Sequence, residues 1–320
     1  MAGIFDQYVG ETIDLNYITH EAMIEASSFW ELEEYQIENG NYRGYLTIVH
    51  TSNIQFSYTY RSHGAIIKGK TPQGCYVLAY TSAHAPITHN GISLTATELL
   101  VLDEDDEIDF TSSHESSDLC MVIEKEFFNL EFERYFNKPF TWDKVNKRLE
   151  LKHDSVYELR TVGKDMLTHL MNYAEKLKSD SLFHAKAQQD ILQTLFQSLD
   201  IDKKREATVD SDVDANKLRI YLEEHFKEDV NIQKVCTELK ICERTARNTF
   251  KRLFGFTPKH FLLLYRLGKV HHVLLKTENL QRTVEHIAYD HGFTHMGRFS
   301  QQYQDMYGKK PSHTLKVESV

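Results

Sequence analysis

The chain has 320 residues, enough for two domains with separate cores, and its 41% hydrophobic and 26% charged residues are an ordinary globular balance. That composition excludes a disordered or fibrous chain, and no apolar run approaches the roughly 18 residues that a membrane helix needs. The net charge of −10 argues against a polyanionic partner until it is divided: residues 213–320 hold 18 Lys and Arg against 12 Asp and Glu, a net of +6, while the rest holds 19 against 35, a net of −16. A basic module on an acidic body is the asymmetry expected when one part meets phosphate and the other does not.

The N-terminus, MAGIFDQYVGETID, lacks a basic and then apolar leader, and Cys75, Cys120, Cys236 and Cys242 avoid any C-x-x-C spacing. Both observations predict a reducing, cytoplasmic setting without structural zinc. From Phe29 to Ile123, short runs of β-branched and aromatic residues alternate with polar ones, with turn signals at Asn39-Gly40, Pro72–Gly74 and Asn90-Gly91. Several short strands without a long helix between them predict an antiparallel sandwich or barrel. The acidic run at 103–109 reads as a solvated connection. In such a barrel Trp30, Tyr42, Phe56, Tyr58 and Tyr76, with Tyr60 and Tyr80, are candidates to line a small-molecule pocket, and each fits an ordinary core as well. A metal enzyme of the cupin type needs an H-x-H with further ligands, but His50, His63, His84, His89 and His114 are scattered. With no nucleophile or phosphate-loop motif either, no catalytic residue, metal or cofactor is assigned.

After Glu124 the period changes to helical, with Val162, Met166, Leu170 and Tyr173 in one stripe and Ile191, Leu195 and Leu199 in another. The stretch that follows is polar and charged. The expected organisation is a β-rich domain with adjoining helices over 1–200, a linker over 201–214 and a DNA-binding module over 215–316.

Two helix-turn-helix patterns fill that module. In the first, Asn231 offers an N-cap, Ile232, Val235 and Leu239 face inward, and a turn at Lys240–Cys242 leads to a helix burying Ala246 and Phe250. Arg244, Arg247, Asn248 and Lys251 are left outside. Arg can fork onto guanine and Asn can pair with adenine, so this is an apt reading face. A long apolar helix from Phe261 to Leu275 connects to the second copy, where Gly292 turns the chain, Thr294 is a cap candidate, and Phe299 and Tyr303 are buried. Met296, Arg298 and Gln301 face outward beside Gly297, which has nothing to read with. Arg266 and Lys269 on the connector, and Lys309 and Lys310 after the second copy, are candidates for phosphate contact.

Gly255-Phe256-Thr257-Pro258, Phe261, Arg266-Leu267, Ile287-Ala288, Gly292-Phe293, Phe299 and Gly308–Pro311 stand at the spacing of the AraC/XylS class of bacterial transcription regulators, which this stretch of about 100 residues resembles. Its first motif is similar to the subgroup typified by the ethanolamine-utilisation regulator. The resemblance implies an α+β two-domain protein: an N-terminal cupin-like antiparallel β-barrel with adjoining helices, then an all-α module of two helix-turn-helix motifs joined by a central helix. It implies base reading by Arg244, Arg247 and Asn248 from the first motif and by Met296, Arg298 and Gln301 from the second. Lys251, Arg266, Lys309 and Lys310 are the expected backbone contacts. The family's usual R-x-F-K after the second motif is Gln302-Tyr303-Gln304 with Asp305 here, and the loss of two basic positions beside an acid weakens the expected grip of that unit, which Lys309 and Lys310 partly offset. The expected partners are double-stranded DNA, a small-molecule effector, a second copy of the chain and RNA polymerase, with no membrane; an activator is the family's implied role, and the sequence leaves activation or repression open.

Overall fold

In the computed structural model, residues 3–28, 31–142, 144, 147–202, 210–276 and 282–315 are described. The first half comprises β1 (Thr12–Ile18), α1 (His20–Ser28), β2 (Glu33–Gln36), β3 (Gly44–His50), β4 (Ile54–Lys70), β5 (Cys75–Ala83), β6 (Ile87–His89), β7 (Ile92–Ser93), β8 (Glu98–Leu102), β9 (Glu107–Glu124), α2 (Lys125–Phe136), β10 (Arg148–Glu150), α3 (Val156–Asn172), α4 (Ala174–Ser179) and α5 (Ser181–Ser198). The second comprises α6 (Asp210–Glu224), α7 (Ile232–Glu238), α8 (Glu243–Phe254), α9 (Pro258–Lys276), α10 (Val284–Asp290), α11 (Met296–Tyr307) and α12 (Pro311–Thr314). This is the expected antiparallel β domain followed by a helical module. β1 and α1, upstream of Phe29, were not expected. Every side chain of β1 is half-buried or exposed, so the strand carries only a weak apolar signal.

The spine of the β domain is the long antiparallel pair β4 and β9, in register from Ile54 opposite Ile123 to Lys70 opposite Glu107. Each long strand serves two neighbours: β3 pairs with the first half of β4 and β2 with the second, while β5 pairs with one end of β9 and β6 with the other. The sheet therefore bends about this ribbon into a barrel. Gly64 sits at the bend, where a Cβ would stand 2.4 Å from the carbonyl oxygen of Ser113, so only glycine allows that approach.

Alternation along the strands sorts side chains into two layers. Phe56, Tyr76, Leu78, Tyr80, Leu119 and Met121 face outward and form one core with Leu159, Leu167 and Leu170 of α3 and Ile191, Leu195 and Phe196 of α5. Their neighbours in sequence face the barrel interior. The acidic run is not simply solvated: Lys125 pairs with Asp103 and Glu104, Lys147 with Asp106, and Asp109, already within β9, with Arg219 and Lys68.

α6 begins at Asp210, so the last residues expected as linker are helical, while 203–209 lie outside the described residues. α9 is apolar nearly all round because it packs on more than its own module. Tyr35, Ile37 and Ile66 of the β domain belong to the same buried cluster as Phe250, Phe261, Leu264, Val270 and Tyr303. Tyr35 lies flat enough on α9 that a Cβ at Gly268 would come within 3.0 Å of its own Cβ.

Candidate nucleic-acid interface and effector cavity

Asn231 caps α7, its side chain accepting from the Lys234 N–H, and buried Ile232, Val235 and Cys236 seat that helix against α8. α8 buries Ala246, Thr249, Phe250, Leu253 and Phe254, and Gly255 closes it in the left-handed region at φ +78°. The face left over is the sequence-predicted one: Arg244, Arg247, Asn248 and Lys251 are all exposed. Arg247 Nε donates to Glu243 Oε1 at 2.7 Å, one helical turn back, which holds the guanidinium in place and leaves its two terminal nitrogens to project.

In the second unit, Thr283 caps α10 by accepting from the His286 N–H, and Gly292 makes the turn at φ +82°. The N-cap position of α11 is His295, not Thr294, and no side chain caps that helix. Phe299, Tyr303, Met306 and Tyr307 are buried. Arg298 and Gln301 are exposed, with Gln301 Nε2 donating to Asp305 Oδ1 at 2.7 Å. Met296 is only half available, since it packs partly against the module's core. Gly297 is exposed, and a Cβ there would meet nothing within 4 Å.

Three expected phosphate contacts on or near the connector have other partners. Arg266 Nε and Nη2 each donate at 2.5 Å to the carbonyl oxygens of Phe226 and Glu228, and burial lowers the guanidinium from its ordinary value. It clamps the loop before α7. Lys269 donates to the Tyr35 hydroxyl at 2.7 Å, and Lys309 pairs with Glu21 of α1 at 2.5 Å. Lys251 and Lys310 are exposed, as expected.

A family model described as a helix-turn-helix domain matches residues 235–316. The chain is 24% identical over 220 residues to the XylDLEGF operon transcriptional activator 1 of Pseudomonas putida, covering 68% of this chain and 67% of that one. It is 31% identical over 106 residues to the transcriptional activator RhaS of Salmonella arizonae, covering 33% and 37% of the two. The chain belongs to the AraC/XylS family. It is a DNA-binding transcription regulator. The chain spans about a third of RhaS and 29% of a probable thc operon regulatory protein from Rhodococcus erythropolis, to which it is 30% identical over 97 residues. Among solved structures, a probable AraC family regulator from Rhodopseudomonas palustris is 30% identical, covering 32% of this chain and 94% of that one, with a TM-score of 0.30. ToxT of Vibrio cholerae is 14% identical, covering 89% and 96%, with a TM-score of 0.30.

The barrel of the regulator holds a partly open cavity of about 170 Å³, walled by Leu46, Ile48, Val77, Ala79, Leu100, Leu102 and Val122, with Thr59, Arg61, Thr81 and Asp118 among its polar groups. The aromatic residues expected to line it do not. Phe56 and Tyr76 lie in the outward layer under α3 and α5, with half-buried Tyr58 packed against that layer, because alternation sends them to the opposite face from Gln55, Ser57 and Val77. Tyr60, half-buried, hydrogen-bonds to Glu115, and Tyr80 is in the outward layer too. Tyr42 packs with Met23, Leu46 and Ile48 and donates to Glu34 at 3.1 Å, without reaching the lining. Trp30 lies outside the described residues.

The attachment of the DNA-binding module to the barrel was illegible in the sequence. On the side of the first motif, Arg219 of α6 is buried and pairs with Asp109 at 2.5 Å and Glu223 at 2.7 Å, while Lys68 reaches Glu223 at 2.7 Å. On the side of the second, His20 of α1 stacks on His271 of α9 at 5.6 Å between centroids, and His271 stacks on Tyr307 at 3.9 Å. Burial lowers His20 to about 4 and holds His271 well below its ordinary value, with His272 lowered too. Burial would raise Glu21, but the hydrogen bond from Lys309, with those from the Glu21 backbone N–H and the Thr19 hydroxyl and the charge of His271, together outweigh it and bring the carboxyl to about 2. Among the described residues no three His, Cys, Asp or Glu stand where they could hold a metal, and no helix is long and apolar enough to cross a membrane.

Proposed function

We propose that the regulator reads promoter DNA with α8 and α11 placed in successive major-groove faces, roughly 34 Å apart along the duplex. Arg244, Arg247 and Asn248 read bases from α8, and Met296, Arg298 and Gln301 from α11, with Lys251 and Lys310 on phosphate. One observation carries this reading: the inner face of α8 is wholly committed to the helix-turn-helix core, while the opposite face is exposed and holds Arg, Arg, Asn and Lys. The alternative, a helical module that binds protein, has no use for that basic face, and a steep loss of binding with added salt separates the two.

The barrel is proposed as the effector domain, because it holds a ring-sized, partly open and mostly apolar cavity with a few converging polar groups. We assign the effector domain to 1–200, the linker to 201–214 and the DNA-binding domain to 215–316. The regulator works in the cytoplasm as a homodimer, activates through RNA polymerase and catalyses nothing. Selection of bound duplexes from a random pool at physiological salt tests the central claim. Two enriched patches one helical turn apart are expected. A single patch would remove α11 from base reading, and no enrichment with or without cell extract would overturn the proposal.

A further inference from the structure

The cavity is graded by its strand register. At one end Val77 stands opposite Leu102 and Val122, and Ala79 opposite Leu100 and Cys120. Two residues further along the same faces, Asp118 stands between Thr59 and Thr81, with Arg61 next on β4. All of these line the cavity. Arg61 donates from Nε to Glu34 at 3.0 Å and from Nη1 to Asp118 at 2.5 Å, and Glu34 is fully buried behind it. Two carboxylates therefore share one guanidinium, leaving one negative charge in excess at this end. Burial raises the Asp118 carboxyl even with Arg61 and Thr81 beside it. Lys70, which also lines the cavity, is exposed to solvent, where its charge is screened.

We propose that the cavity takes a compact apolar molecule of about one ring that carries a protonated amine, with the ring between Val77, Leu100 and Leu102 and the ammonium on Asp118. The inference rests on the effector reading above and names the chemistry of that site. The volume of about 170 Å³ is close to the roughly 150 Å³ that accepts benzene in an engineered apolar cavity. An ammonium brings three donors and no acceptor, which suits a carboxylate flanked by two hydroxyls. A carboxylate ligand would meet two acids and a guanidinium already engaged by both, a like-charge juxtaposition that a low-dielectric site penalises.

Benzylamine, toluene and benzoate, offered to the full-length protein in calorimetric titrations, test this. Benzylamine is expected to bind at least about tenfold more tightly than benzoate, and Asp118→Asn to weaken it by about ten- to a hundredfold, the range of a charge-assisted hydrogen bond. Toluene affinity should move far less. Because Asp118→Asn also removes a partner of Arg61, its unliganded melting curve is recorded, and Thr81→Val provides a variant that keeps the ion pairs and should weaken benzylamine by a smaller factor. Ala79→Phe, which fills the apolar end, should abolish binding of both benzylamine and toluene. Tighter binding of benzoate, or benzylamine binding indifferent to all three substitutions, would overturn the proposal. Toluene binding without preference for the amine would overturn the charge assignment and leave the cavity an effector site. No binding by any of the three would remove the effector reading with it.

Discussion

α8 and α11 have the same length and the same frame, a short capped helix, a tight turn and a left-handed glycine at the end, yet they present different faces. α8 exposes Arg244, Arg247, Asn248 and Lys251, while α11 exposes Arg298 and Gln301 beside a bare glycine and a half-buried methionine. They also hang differently from the barrel. The side of the first motif is held through the Arg219–Asp109 and Lys68–Glu223 ion pairs, the side of the second through stacked His20, His271 and Tyr307 and the Lys309–Glu21 pair. The shared part is what packing dictates. The divergent parts are the outward faces, proposed above to meet DNA, and the faces that meet the other domain, so on that proposal the two units differ in grip and in their response to conditions.

Removing the shared part should have the largest effect. Phe250→Ala and Phe299→Ala each delete a fully buried ring and should cost about 3–5 kcal/mol in chemical denaturation. If one of them cost much less, the two cores would not be equivalent. Acidification should separate the tethers. The neutral form of His20 is favoured in the closed arrangement, with its pKa lowered to about 4 from 6.5, so its contribution is complete above about pH 7 and is lost as pH falls through 6.5 toward 4. Between pH 7 and pH 5 that removes about 2 kcal/mol. Around it stand Glu21, Glu34, Arg61, His271, His272, Tyr42 and Tyr307, with Lys309 on Glu21. Hydrogen exchange at pH 5 should therefore loosen α1 and α11 before α6, and the reverse order would refute the distinction.

On DNA, Arg247→Ala should cost about 1–3 kcal/mol at the selected site and relax preference at one base position. Equal weakening on every sequence would make Arg247 a phosphate contact. Arg298→Ala should cost less, about 1 kcal/mol, measured on the same duplex. A larger loss than that of Arg247→Ala would invert the ranking of the two units. Glu21→Ala should be the mildest, releasing Lys309 toward phosphate and steepening the salt dependence of binding by about one counterion.

The sequence made the helical module legible to individual caps and faces, because Asn231, Gly255, Pro258, Gly292 and Gly308 are local signals that act where they stand. The strands were legible as strands, but the face on which each side chain falls was not. Phe56 and Tyr76 invited assignment to a pocket because they are large and aromatic. The register of β4 against β9 and β5 turns them toward the helices and leaves small polar residues such as Ser57 and Thr59 inside. The tethers were hidden for a different reason. Arg266, Lys269 and Lys309 look alike in sequence as cations near DNA, and only the distant partners Phe226, Tyr35 and Glu21 reveal that they are engaged elsewhere.

Gly297 gives α11 an unwritten position. It stands in the first turn of the helix, exposed, with open space where a side chain would be and an ordinary right-handed backbone. A lineage or an engineer could fill that place with Asn, Arg or Ser without disturbing the fold. With α11 reading bases as proposed, the regulator could then move to a new promoter one base at a time, keeping the contacts proposed for Arg298 and Gln301 while trying out another.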